Sequence, residues 1–299
     1  MKKQLLLPLA AVAGGAVALA LRLLQNRTGF ESTTGLPIPG NGPGVALVIL
    51  LVGLAVALVA LSRLLPKEAG ERPSFPEDFR TAGAGLVTLL VAGCFLVVVS
   101  GVLDIATGAA LFSLAEEGGG VAVLSGGSSA LSPRLRIAGG VLALGIGWSL
   151  FPAAVCCRCR PGARPRNASP ALVLIPPVCA VARLVLAYRV DSVDPALSTY
   201  YVEILALVFL TLALYRLSSF AYHVAKTRRF ALYAGLALAL SMATIADADG
   251  LGGKLFYGGA ALVLLGFMTL LVENLSAPAP EGAAEQPPEE TPEQSEGQA

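Results

Sequence analysis

The chain is 299 residues long, 55% hydrophobic and only 14% charged, with a mean hydropathy of +0.73. A globular domain of ordinary composition is about 25% charged, so this composition excludes the soluble class and points to an integral membrane protein. The net charge of +1 is unevenly spread: six glutamates and no Lys or Arg follow Glu273, which leaves +7 on residues 1–273. That excess lies beside apolar blocks, where it sets orientation rather than marking a nucleic-acid partner.

Spanning a bilayer takes roughly 20 apolar residues per helix. Eight blocks qualify, at about 4–24, 44–65, 82–103, 136–155, 170–188, 197–217, 229–247 and 255–273. They are apolar all round rather than alternating, which excludes a closed β-barrel. The fold class expected is an all-α polytopic transmembrane helix bundle of about eight spans over residues 1–275, with both termini cytoplasmic. The orientation follows from Lys and Arg: fourteen flank the spans on one side, six on the other, and Arg183 lies within a span. The richer side is read as cytoplasmic.

The first block begins after Lys2 and Lys3 and contains "AVALA", which resembles a signal-peptide cleavage site. Its apolar run, Leu5 to Leu24, exceeds the usual h-region of about 7–15 residues, so it is read as an uncleaved span. Cleavage would leave seven spans in the same orientation. Small residues four apart recur at Ala10/Gly14/Ala18, Gly53/Ala57 and Gly139/Ala143/Gly147. They let helix backbones approach closely and are read as packing within the bundle.

After the third block comes a long outer connection, residues 104–135. "ALFSLAEE" is read as a short interfacial helix and the glycine-rich remainder as a linker. It has no GK[ST], so it is no P-loop. The fourth block ends at "CCRCR", where Cys156, Cys157 and Cys159 lie among arginines. Arginines lower a thiol's pKa and raise its reactivity. The spacing suits zinc poorly, and no cofactor or metal is expected. No cysteine falls in an outer loop, so no structural disulfide is expected.

The fifth block holds Pro176-Pro177, which predicts a kink, and Arg183. Arg183 lies roughly 9 Å below the outer end at 1.5 Å per residue. The chain turns through "RVDSVDP", and the sixth helix starts near Pro195. That puts Glu203 roughly 12 Å down, so Arg183 and Glu203 are expected to pair. Tyr200 lies three residues before Glu203, on its face. On the seventh span, Ala237, Ser241, Thr244 and Asp247 make one small polar face. Asp104, Asp191, Asp194 and Asp249 lie at the same end. The expected arrangement is an outward-facing polar cavity between spans 5, 6 and 7, lined by Arg183, Glu203, Tyr200, Ser241, Thr244 and Asp247. The simpler reading makes Arg183–Glu203 a latch. The third and seventh spans share weak similarity that carries no repeat.

Catalytic patterns fail. His223 is the only histidine, which excludes HExxH. Gly147-Trp148-Ser149 lacks a completed G-x-S-x-G, and His223 lies too far along its helix to reach Ser149. The chain is read as no enzyme. Residues 276–299, rich in Pro and Glu, are read as a disordered acidic cytosolic tail.

The stretch "IPPVCAVARLVLAYRVDSVDPALSTYYVEILALVFLTLALY", with its proline pair, Asp-Pro turn and Tyr200-x-x-Glu203, resembles uncharacterised multi-span membrane proteins of clostridial-type bacteria. The resemblance covers spans 5 to 8 best. It implies a multi-pass protein of a bacterial plasma membrane and brings no activity and no assigned site. Two functions are expected from the residues themselves. The first is handling of a small solute or ion through the outer cavity. The alternative is a non-catalytic scaffold or regulator that binds cytosolic partners through the inner loops and the tail.

Overall fold

The computed structural model describes residues 5–29, 38, 40–65, 75–116, 133–158, 169–191, 197–248 and 250–276. The tail and most of the glycine-rich connection therefore lie outside the described residues. The elements are α1 (Leu6–Thr28), α2 (Gly42–Ser62), the single turn α3 (Phe75–Asp78), α4 (Ala84–Glu116), α5 (Pro133–Cys156), α6 (Pro170–Asp191), α7 (Leu197–Ala221), α8 (Thr227–Thr244) and α9 (Gly250–Ser276). No strand occurs among the described residues, and the architecture is an all-α helical bundle.

Seven helices are long and apolar enough to cross a membrane: all but α3 and α8. Helix α8 has 18 residues and opens with Thr227-Arg228-Arg229. It nevertheless runs the full height of the bundle. At one end Arg228 Nε donates to the carbonyl of Leu65, just past α2 (2.5 Å). At the other, the turn after α8 is bound to the last turns of α1. It can be short and weakly apolar because it is wrapped by α1, α2, α7 and α9 rather than by lipid. Most of its residues are buried, Ser241 and Thr244 among them.

The remaining helices close a ring. Each of α4, α5, α6, α7 and α8 packs on its successor, and α9 lies between α8 and α4. Helices α1 and α2 stand outside the ring on α8. Lipid gives apolar helices little reason to associate, so close backbone approach matters. Helix α4 achieves it on two sides. Added Cβ atoms at Gly101 and Gly140 would lie 2.6 and 2.7 Å from each other's carbonyl oxygens, across α4 and α5. Gly93 and Gly259 do the same across α4 and α9, at 3.0 and 2.8 Å. Gly147 faces Cys94 and Val98 of α4, so this part of the small-residue pattern serves packing within the bundle. An added Cβ at Gly53 would meet nothing within 4 Å.

Two expected boundaries are corrected. Helix α4 does not end near residue 103. It continues for 33 residues to Glu116 and absorbs the described part of "ALFSLAEE", residues 110–116, which is therefore no separate interfacial helix. Residues 104–116 contain no proline, and one glycine is not enough to stop a helix. Asp104 thus sits inside a helix rather than at its end. Helix α1 likewise runs on to Thr28, which brings Arg22 into its body. Helix α6 is assigned continuously through Pro176 and Pro177.

One end of the ring is closed by aromatic packing. The connection after α2 folds back as α3 and inserts Phe75 and Phe79 among Phe220 of α7, Phe230 of α8 and Phe267 of α9. Phe79 lies 4.9 Å from Phe220, 5.9 Å from Phe230 and 5.4 Å from Phe267 between ring centroids, all edge-on. Asn274 Nδ2 fixes the connection by donating to the carbonyls of Asp78 and Arg80 (2.7 and 3.0 Å). Thr81 N donates to the carbonyl of Cys157 (2.9 Å). Phe79 is fully buried and touches three ring helices. Phe79→Ala is expected to cost about 3–5 kcal/mol of stability, read as a lowered Tm of the full chain in detergent.

Candidate functional site

The other end of the ring carries charge. Arg183 of α6 donates from Nη1 to the carbonyl of Gly139 on α5 (3.0 Å). Its guanidinium carbon lies 3.8 Å from the centre of the Phe256 ring on α9, within cation–π range. Glu203 of α7 accepts a hydrogen bond from the Tyr257 hydroxyl of α9 (2.7 Å). Asp104 of α4 lies within electrostatic reach of Arg183 and of Arg136 on α5. The absence of a Cβ at Gly252 lets the start of α9 lie directly against the Asp104 carboxylate. The preceding Gly250 has φ +66, a conformation that favours glycine, and it starts α9 beside Arg136. Five ring helices thus contribute to one polar layer.

Arg183 and Glu203 do not take each other as partners. Both turn to α9, where they meet the successive residues Phe256 and Tyr257. Their similar depth along neighbouring helices gave no sign that α9 offers each of them another partner. Tyr200 lies on α7, and its side chain is outside the described residues. So are Asp194, Asp249 and the side chain of Asp191.

Asp247 belongs to a different cluster. It accepts from Arg22 Nε (2.6 Å) and from Asn26 Nδ2 (2.7 Å), while Arg22 Nη1 donates to Gln25 Oε1 (2.7 Å). Arg22 and Asp247 are buried, and theirs is the ion pair found among the described residues. This network joins α1 to the end of α8. Composition hid it, because Arg22 lies near the edge of its apolar block and reads as a flanking charge. The available signal was Arg22, Gln25 and Asn26 at i, i+3 and i+4, one face of a helix that continues past the block.

The expected cavity between spans 5, 6 and 7 is corrected as well. Those spans are α6, α7 and α8, and α7 stands between the other two. Ser241 and Thr244 are fully buried, so they line no open cavity. The Thr244 hydroxyl donates to Leu240 of its own helix (2.8 Å). The Ser241 hydroxyl is buried with no hydrogen-bond partner. Among the described residues, α4, α5, α7 and α9 enclose an apolar void of about 10 Å³ lined by residues including Val97, Leu150, Leu210, Phe256 and Val263. Water needs polar partners, and this lining offers none. Phe256 therefore touches both layers, Arg183 on one side and the apolar axis on the other.

The remaining chemistry is muted. The Ser149 hydroxyl is spent on the carbonyls of Gly145 and Ile146 in its own helix (2.5 and 3.1 Å). Among the described residues no group of His, Cys, Asp and Glu is arranged to hold a metal. Cys157, just past the end of α5, is less reactive than the nearby arginines imply. Cys157 is 1% exposed and donates to the Ala153 carbonyl (3.3 Å). Burial, reinforced by neighbouring Cys156 and Cys94, pushes its thiol up to about 12. Cys159 lies outside the described residues.

Two measurements follow from this geometry. Arg22→Ala and Asp247→Ala should each destabilise strongly, by about 3 kcal/mol or more, with the double variant little worse than either. The same thermal double-mutant cycle on Arg183 and Glu203 should be close to additive, within about 0.5 kcal/mol. Brief iodoacetamide treatment of the folded protein at neutral pH should modify the half-exposed Cys156 well before Cys157, as read by fragment mass spectrometry.

No family model matches this chain, and neither a curated protein nor a solved structure matches it at significance.

Proposed function

We propose that this multi-pass membrane protein handles a small solute or ion at the charged layer, with the axis of the six-helix ring as the route across. The observation that carries this reading is the convergence of Asp104, Arg136, Arg183 and Glu203, from four helices, on one end of an apolar axis. A charge at a helix centre costs about 2.5–3.5 kcal/mol on insertion scales, so intramembrane charges mark functional positions. A latch requires one ion pair, and Arg22–Asp247 already supplies one elsewhere. Beyond the layer the route is shut twice, by the dry axis and by the phenylalanine cluster around Phe79. On the orientation expected from Lys and Arg, the charged layer faces outward from a bacterial plasma membrane. The scaffold reading leans on the acidic tail, which lies outside the described residues.

The test uses the full chain in liposomes and records currents on a solid-supported membrane. The solutes are inorganic cations, small inorganic anions, amino acids and organic cations. Wild type should respond to at least one class above protein-free liposomes. Glu203→Gln, which keeps an acceptor for Tyr257, should lower that response about tenfold or more while the Tm stays near wild type. No response from folded wild type to any class sinks the proposal, as does an unchanged response in Glu203→Gln.

A further inference from the structure

The geometry points to an organic-cation seat at the charged layer, occupied in this conformation by the chain's own Arg183 guanidinium. This inference rests on the functional reading above and names the class of solute that the layer takes. Three groups make the seat. The face of Phe256 lies against the guanidinium at 3.8 Å. The Gly139 carbonyl accepts one of its hydrogen bonds at 3.0 Å. The Asp104 carboxylate acts on it electrostatically. An aromatic face, a carbonyl and an acid within reach are what a delocalised or quaternary cation requires, because the ring quadrupole and the acid both favour positive charge without demanding a small ion.

Arg183 fills this seat loosely. A guanidinium has five N–H donors, and buried arginines ordinarily spend several of them on a carboxylate fork. Here, among the described residues, Nη1 to Gly139 is the hydrogen bond that it makes, and it forms no close ion pair. Arg183 is itself only partly buried, so part of it already reaches the surface of the bundle. The charge balance then favours a replacement. Asp104, Glu203, Arg136 and Arg183 are formally neutral together, and without Arg183 the other three carry −1. A monovalent organic cation restores neutrality, whereas an anion makes the deficit worse. Arg134 lies over the Phe112 ring instead, and Lys254 is exposed. Phe256 also lines the apolar axis, so a cation seated on its ring would sit at the entrance to the route.

The experiment measures binding, not transport. Methylguanidinium and tetramethylammonium, with sodium as the ionic-strength control, are titrated against full-length wild type and Arg183→Gln in detergent, and Tm is recorded. Gln keeps most of the stem packing and vacates the seat. A self-occupied seat lowers apparent affinity by the fraction of time it is free, so Arg183→Gln should bind methylguanidinium about tenfold or more tighter than wild type. It should also gain Tm where sodium gives none. Should Arg183→Gln fail to fold, Phe256→Leu is compared with wild type, and loss of the organic-cation shift with retained sodium behaviour is the supporting result. Equal affinities in wild type and Arg183→Gln overturn the inference, and so does an unchanged shift in Phe256→Leu. Binding without any flux in liposomes would leave the seat standing and remove the transport reading. Flux of another solute class without organic-cation binding would do the reverse.

Discussion

The bundle is organised by the need to keep α8 away from lipid. With 18 residues, two arginines at its start and a serine and threonine in its body, it is a poor transmembrane helix on its own terms. Insertion becomes affordable when protein supplies the surroundings, because lipid-facing polarity is then replaced by packed contacts. Helices α1, α2, α7 and α9 do this, and their positions follow from it. The Arg22–Asp247 pair pins α1 to the end of α8, and Arg228 ties its start to the end of α2. The ring of α4 to α9 closes with α8 as one of its members.

The two ends of that ring solve different problems. At the Phe79 end five phenylalanines fill the space, mostly by edge-on contacts, and the nearby Arg228 is held by the Leu65 carbonyl. At the Asp104 end the charges come from separate helices, and Arg183 and Glu203 are held by a carbonyl, a ring face and a phenol rather than by a close ion pair with each other. Direct pairing would make a rigid latch, since breaking a buried pair exposes two unpaired charges. Contacts to α9 support Arg183 and Glu203 separately. Phe256 and Tyr257 are the hinge of that arrangement, being adjacent on α9 and serving opposite charges.

The glycine seams explain how α4 can hold both neighbours. Lipid gives no hydrophobic drive between helices, so van der Waals contact between backbones has to supply it. Gly101 against Gly140 and Gly93 against Gly259 bring α4 within backbone reach of α5 and α9. Through these seams Asp104 and Arg136 arrive at the same level as the start of α9, where Gly252 makes room for the carboxylate.

Amino-acid order alone determined that this is a helical membrane bundle. Apolar blocks of bilayer length have one solution compatible with satisfied backbone hydrogen bonds, and that needs no tertiary information. It also singled out Arg183 and Glu203 as costly residues in need of partners, and set Asp247 on a polar face at the end of its span. It could not name those partners, because they lie on helices that are distant in sequence. Arg22 and Asp247 are 225 residues apart, and Glu203 reaches Tyr257 across 54. The length of α4 escaped as well, since a polar residue within an unbroken helix looks like the end of an apolar block. Ser241 and Thr244 show the limit most clearly. Their spacing defines one face of a helix, but only the packing of α8 inside the bundle decided that this face would be buried rather than open to solute.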